Sequence, residues 1–288
     1  MKIIKKIVRL LIEEICSLII LLKYKITGVK YVRVKYFKAV KNWGDILNVY
    51  LIENVSGMKV LHHPLGYKPH LLGIGSVIAS ANSKSIIWGS GLMYETQSPK
   101  SVPLEIHSVR GPKTRNKLEA LGINVPEVYG DPCVILKKYF NPKNIDKKYT
   151  LGVIPHYVDK NDERLTTLAK RSDVKIIDIQ QEIESFILEL LECENIASSS
   201  LHGMIAADTY NIPNCRLVFS DGVVGGSFKF DDYHLGIGHD EYSVVNMNAA
   251  DIPNLDYIVN ECKLKSVPDE VVLNIIAAAS KIDLISKV

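Results

Sequence analysis

The stretch N-I-A-S-S-S-L-H-G-M-I-A-A-D, residues 195–208, runs from a short apolar segment through three hydroxyls straight into a helical pattern. Such a junction reads as a strand handing over to a helix, and a parallel strand needs that crossover before the next strand can run the same way. The alternation continues on both sides. Upstream lie T-L-G-V-I-P-H-Y (150–157), a helix near 161–171, V-K-I-I-D-I (174–179) and a helix over 182–193; downstream a helix over 202–210 leads to N-C-R-L-V-F-S (214–220). Across a polar break at 141–149, N-P-K-N-I-D-K-K-Y, a similar series comes first. Its strands are expected at 31–37, 59–63, 70–78, 85–91 and 105–111, and its helices over Asp45–Asn54 and Pro112–Leu121, ended by Gly57 and Gly122. The expected fold class is α/β, with two Rossmann-like units over 31–148 and 149–266. A basic amphipathic helix (1–30) precedes them, and a C-terminal segment (267–288) carries a helix over 268–286 that crosses back onto the first unit.

Of the 288 residues, 47% are hydrophobic and 23% charged, which excludes a disordered or collagen-like chain. The net charge of +3 is an average of unlike parts. Residues 1–41 hold 11 Lys/Arg against Glu13 and Glu14 and sum to +9, leaving the remainder at −6. An acidic body with no basic stripe is not a non-specific nucleic-acid binder. Five scattered cysteines without a C-x-x-C pair indicate neither a disulfide framework nor structural zinc, so a reducing compartment is expected.

Ile4, Val8, Leu11, Ile15, Leu18 and Leu22 recur every three or four residues and so share one helix stripe. The apolar run Ile15–Leu22, interrupted by Ser17, is too short to span a bilayer, and Arg9, Glu13 and Glu14 break a signal-peptide core. Two readings stay open for residues 1–28: peripheral contact with an anionic membrane, or packing on the body or on a second copy. The corresponding expectation for location is cytoplasmic, peripheral on the inner face of the cytoplasmic membrane.

In open α/β sheets ligands bind beyond the carboxyl ends of strands, so polar residues placed there carry the functional reading. N-W-G-D (42–45) follows the first strand; Gly44 permits close approach, Asp45 either caps the next helix or faces the cleft, and Asn48 lies one turn on. G-I-G-S (73–76) and Gly89-Ser90-Gly91 resemble anion-cradling turns, although neither a dinucleotide fingerprint nor a P-loop is present. Arg110 in S-V-R-G-P-K-T-R stands at a strand end before a helix, where it binds an anion or forms an inter-domain salt bridge. Asp131 in Y-G-D-P reads as a turn or helix cap. His156, and His202 with Gly203 after Ser200, each form part of an anion site or are buried histidines bonded to a carbonyl. The stretch Gly225–Tyr233 puts Lys229, Asp232 and Tyr233 in a Gly-rich loop, one that closes over a ligand or is plain surface.

N-W-G-D-x-L-N, G-I-G-S, W-G-S-G-L, V-R-G-P-x-T-R, G-D-P, P-H-Y, S-L-H-G-M-I-A-A-D and K-F-D-D-Y, in this order over about residues 36–240, resemble the polysaccharide pyruvyl transferases. The resemblance implies two Rossmann-like domains facing a cleft, similar to GT-B glycosyltransferases. It also implies phosphoenolpyruvate as donor co-substrate, a glycan or lipid-linked sugar as acceptor, and a pyruvate ketal as product. By motif, Arg110 and His202 would bind the donor anion, with Asp45 near the acceptor. Many members carry Arg two residues before this His, where this chain has Ser200; Lys229, His156 or Arg115 then has to supply that charge.

The chemistry needs an anion clamp and one or two acid/base groups. The expected assignment is His202 as donor ligand and general acid, Arg110 as clamp and Asp45 as base. Gly89, Ser90, Gly91, His156, Ser200, Gly203 and Lys229 are expected on the donor side, and Asn48, Asp232 and Tyr233 with Asp45 on the acceptor side. Neither a metal nor a resident cofactor is expected. The alternatives are a nucleotide-sugar glycosyltransferase, for which Asp221 is slender support, and a non-catalytic glycan-binding protein of a membrane assembly complex.

Overall fold

A computed structural model describes residues 2–219, 226–247 and 254–282. Helix α1 (Lys2–Thr27) is followed by β1 (Tyr31–Val34), α2 (Trp43–Ser56), β2 (Lys59–His62), β3 (His70–Leu72), β4 (Ser85–Trp88), β5 (Glu105–Ser108) and α3 (Pro112–Glu119). A 3₁₀ stretch, Pro132–Lys138, leads into the second series. That series runs β6 (Tyr149–Ile154), α4 (Glu163–Ala169), β7 (Val174–Ile176), α5 (Ile183–Leu191), β8 (Cys193–Ser198), α6 (Leu201–Thr209), β9 (Asn214–Val218), α7 (Phe228–Gly236) and β10 (Val244–Asn246). Helices α8 (Leu255–Glu261) and α9 (Asp269–Ser280) close the order.

Each series forms a five-stranded sheet whose pairs are all parallel, ordered β2-β1-β3-β4-β5 and β7-β6-β8-β9-β10. Both therefore reverse winding beside their first strand, between β1 and β3 and between β6 and β8. Such switch points leave a crevice at the strand carboxyl ends, which is where ligands bind. The central strands β4 and β6 carry buried Ile, Leu and Val, as parallel strands covered on both faces do.

The two units share one core. Trp43 is fully buried against Phe186, ring centroids 4.6 Å apart, and its indole donates to the Ile183 carbonyl at 3.3 Å. Helix α9 returns to the first unit, where the Trp88 indole donates to the Ile275 carbonyl at 2.9 Å.

Two local expectations change. Helix α2 begins before Asp45, because Asn42 caps it by accepting the Gly44 amide at 3.1 Å, which leaves Asp45 in the first turn. The described part of the expected Gly-rich loop is mostly helix α7, since Phe230, Tyr233 and Ile237 fall at helical spacing and are all buried. Gly225, Ser220, Asp221 and residues 283–286 of the expected final helix lie outside the described residues.

Helix α1 lies beside the first sheet with most of its apolar stripe turned away from the body. Glu14 and Ser17 are its buried residues among those described, and much of its apolar stripe is exposed.

Candidate functional site

The two switch points face one cavity of 310 Å³. From the first unit come Asn42 and Asp45 after β1, Gly75 and Ser76 after β3, and Met93 after β4. From the second come His156 and Tyr157 after β6, Ser200 and His202 after β8, and Lys229 in the first turn of α7. Residues far apart in sequence meet because the carboxyl ends of both sheets' strands face this cavity.

His202 is 12% exposed. Its ring lies directly over Gly44 of the other unit, where any Cβ would overlap the imidazole. Burial first, then the charges of Lys229, Arg110 and His156, lower its pKa to about 3 and leave it neutral. Its Nε2 is 3.9 Å from Asp131 Oδ2, and neither atom has a hydrogen-bond partner among the described residues. Asp131 also caps the 3₁₀ stretch, accepting the Cys133 amide at 3.0 Å through Oδ1. Burial raises its pKa to about 6, opposed by the Cys133 amide, by Arg110 and by the Gly75 amide, so Asp131 is ionised at neutral pH. An ionised carboxylate beside a neutral imidazole stabilises a proton arriving on that ring. Asp131 was legible in the sequence as a cap only; its second role depends on a histidine 71 positions further on.

Asp45 opens on the cavity within dense surroundings. Burial and the Asp131 charge raise its pKa to about 8, with Lys229 opposing. It therefore carries a proton at neutral pH, so it is poised to donate first rather than to act first as a base. Lys229 is 6% exposed; burial, then Arg110 and Arg216, lower its pKa to about 8 against the pull of Asp159 and Asp45. His156 is held by its amide, which donates to Ser199 Oγ at 2.8 Å, and by its ring against Tyr157 at 4.2 Å. Burial, then Lys229, lower the His156 pKa to about 4. Ser200 is the cap residue of α6, its amide held by Ser198 Oγ at 3.0 Å. The first amides of α6, which have no partner within the helix, begin at this wall of the cavity.

Other expected site residues build the frame behind this cavity. Arg110 is fully buried: its Nε donates to Asp232 Oδ2 at 3.0 Å, Nη1 to Ser76 Oγ at 2.6 Å and Nη2 to the Leu92 carbonyl at 2.5 Å. It is thus the inter-domain salt bridge, and it reaches the cavity wall only through Ser76. Asp232 also accepts the Thr114 amide and hydroxyl at 2.8 and 2.7 Å. Removing either charge of such a buried pair costs about 3–5 kcal/mol, because the other is left uncompensated. Tyr233 is buried with its hydroxyl on Asp208 at 3.1 Å, away from the cavity lining. Asn48 clamps the loop after β3, bonding both the amide and the carbonyl of Ile74 at 2.9 and 3.1 Å.

The Gly89-Ser90-Gly91 turn spends its groups internally. Gly89 donates to the Ser108 carbonyl at 2.9 Å and Gly91 to the Gly75 carbonyl at 3.0 Å, while Ser90 Oγ donates to that same carbonyl at 2.8 Å. Gly91 leaves room for the Arg110 guanidinium, and Gly203 for Ser198 Oγ, so both glycines are packing requirements. A second groove of 590 Å³ adjoins the cavity through Phe37 and is lined by Tyr36, Lys41, Tyr50, Glu53 and Glu182 among others.

Two doubly wound units bring their strand ends around a small cavity lined by Asp45, two histidines and a lysine, which is where an α/β protein of this kind holds its ligand. The chain belongs to the polysaccharide pyruvyl transferase family, whose model matches residues 29–220. It is 34% identical over 224 residues to the uncharacterized protein L143 of Acanthamoeba polyphaga mimivirus, covering 74% of this chain and 77% of that one. It is also 28% identical over 205 residues to the succinoglycan biosynthesis protein ExoV of Rhizobium meliloti (strain 1021), covering 68% of this chain and 62% of ExoV.

Proposed function

We propose that this enzyme moves the enolpyruvyl group of phosphoenolpyruvate onto two hydroxyls of one sugar, in a polysaccharide or its lipid-linked precursor, forming a pyruvate ketal and releasing phosphate. The observation that carries this reading is the one cavity lined by Asp45, His156, Ser200, His202 and Lys229, where the α6 amides begin and where burial pushes the Asp45 carboxyl up and the His202 imidazole down. A cavity of 310 Å³ suits a small donor with a carboxylate and a phosphate, for which Lys229 is the counter-charge and the α6 amides and neutral imidazoles are hydrogen-bonding partners.

The proton balance then closes with two side chains. Asp45 delivers its proton to the donor methylene carbon as the first sugar hydroxyl attacks the adjacent carbon, and the Asp45 carboxylate takes that hydroxyl's proton. The carbon–phosphate oxygen bond breaks next, and the second hydroxyl attacks. His202 takes the second proton and passes it to the departing phosphate, with Asp131 stabilising the imidazolium in between. Arg110 acts as a positioning residue that holds Ser76 and α7 in place. The adjoining groove, with its aromatic rings and carboxylates, suits further sugars of the acceptor.

The test is purified protein with candidate lipid-linked oligosaccharides and either phosphoenolpyruvate or nucleotide-sugars, following phosphate release and product mass. A pyruvate mass increment is expected. Sugar transfer from a nucleotide-sugar, or no phosphate release across the acceptor panel, refutes the assignment.

A further inference from the structure

Helix α1 meets the body along a mixed face, with Glu14 and Ser17 buried and Leu10, Glu13, Leu21 and Tyr24 half-buried beside them. Glu14 Oε1 lies 3.8 Å from His63 Nδ1 and Glu13 Oε2 lies 4.0 Å from His62 Nδ1, at the end of β2, the edge strand of the first sheet. Outward, Ile4, Ile7, Leu11, Ile15, Ile19 and Leu22 are each more than half exposed. Of the 24 large apolar side chains exposed among the described residues, 11 belong to these 26 positions. At 1.5 Å per residue the stripe from Ile4 to Leu22 is about 27 Å long, far beyond the scattered apolar exposure of an ordinary surface.

Charge decides what covers it. Both acidic residues of the helix turn toward His62 and His63, whereas Lys5, Lys23 and Lys25 are exposed at its two ends. With cations at both ends, a second copy would set like charges against each other in either orientation. An anionic bilayer complements both ends at once, at a gain set by each basic residue near the surface. No helix among the described residues is long and apolar enough to cross a membrane, so the geometry is that of a helix lying in the interfacial plane.

We propose that α1 docks on an anionic phospholipid bilayer, with its outward stripe in the acyl boundary and its lysines at the headgroups. The dock is adjacent to the site: Tyr36 packs on His62 at 4.6 Å and also lines the second groove. If the acceptor is lipid-linked, which rests on the reading above, that groove faces the membrane in which the acceptor sits.

The test uses the full chain and no turnover assay. Sedimentation with phosphatidylcholine vesicles holding about 30% phosphatidylserine should pull the protein down, and pure phosphatidylcholine much less. The variant Leu11→Gln/Ile15→Gln/Ile19→Gln should keep its unfolding temperature, since all three side chains are exposed, and lose at least about tenfold in vesicle partition. Should it misfold, Lys5→Glu/Lys23→Glu/Lys25→Glu gives the same readout and should bind more weakly in the same assay. No sedimentation with acidic vesicles, unchanged partition of a folded variant, or a dimer that the apolar variant dissociates while vesicles go unbound each overturns the proposal.

Discussion

Replacing Gly44 by Ala adds one methyl group to the first turn of α2, on the opposite unit from His202. Its Cβ would fall well inside the 3.0 Å that real Cβ atoms do not cross, against Nδ1, Cγ and Cε1 of the His202 ring together. To regain ordinary contact the ring must retreat by about 1.4 Å, and even a shift of about 1 Å in a reacting group costs on the order of 100-fold. In energy that is about 2.7 kcal/mol of transition-state stabilisation. Alanine in a helix is intrinsically better than glycine by roughly 1 kcal/mol, which offsets part of the about 1–3 kcal/mol cost of overpacking, so the activity loss should exceed the loss of stability. The assay is phosphate release with phosphoenolpyruvate and acceptor, alongside thermal unfolding. The double variant Gly44→Ala/His202→Ala should be no slower than His202→Ala alone, because the methyl acts only through the ring. Wild-type turnover in a folded Gly44→Ala protein, or losses that multiply in the double variant, would refute the role given to His202.

Three further outcomes follow from the same site. Asp131→Asn keeps the oxygen that caps Cys133 but loses the charge facing His202; it should fold normally and lose about 10- to 100-fold in kcat with little change in KM, and an unaltered kcat rules out the dyad. Lys229→Ala should raise KM for phosphoenolpyruvate by at least about tenfold, and Ser200→Arg, which places a cation on the same cavity wall, should restore part of it; failure of both to move KM removes Lys229 from the donor site. Because the Asp45 pKa is raised from 3.8 to about 8, the unfolded chain holds fewer protons at this group than the folded one between those values, so the wild type loses stability there as pH rises. The stability of Asp45→Asn relative to wild type should therefore grow from pH 5 to pH 8 and level off above; a flat difference in urea midpoints contradicts the protonated Asp45.

Much of the fold is legible because it is written locally. Short β-branched runs alternating with 3.6-periodic segments define parallel α/β units, and the polar residues directly after those runs, Asp45, His156, Ser200 and His202, line the cavity. Helix α7 is hard to read from sequence because Gly225-Gly226 gives the stretch a loop-like start, although Phe230, Tyr233 and Ile237 follow at helical spacing. Arg110 was open to two readings, and only its partner Asp232, 122 positions away, resolves them: a guanidinium bonded on three sides inside the protein serves the frame. Asp131 looked like an ordinary cap because its free oxygen faces a residue of the other unit.

The sequence by itself determined the α/β alternation, the strand-end positions of the polar groups, the family, and a basic helix with an apolar stripe, since each depends on neighbours a few residues apart. Tertiary structure alone decided which groups face each other. Gly44 fits under His202, Asp131 stands behind the His202 ring while Asp45 lines the cavity, and Glu13 and Glu14 meet His62 and His63 while the stripe turns outward. Periodicity determines that a helix has two faces; which face is buried depends on what the rest of the chain brings to meet it.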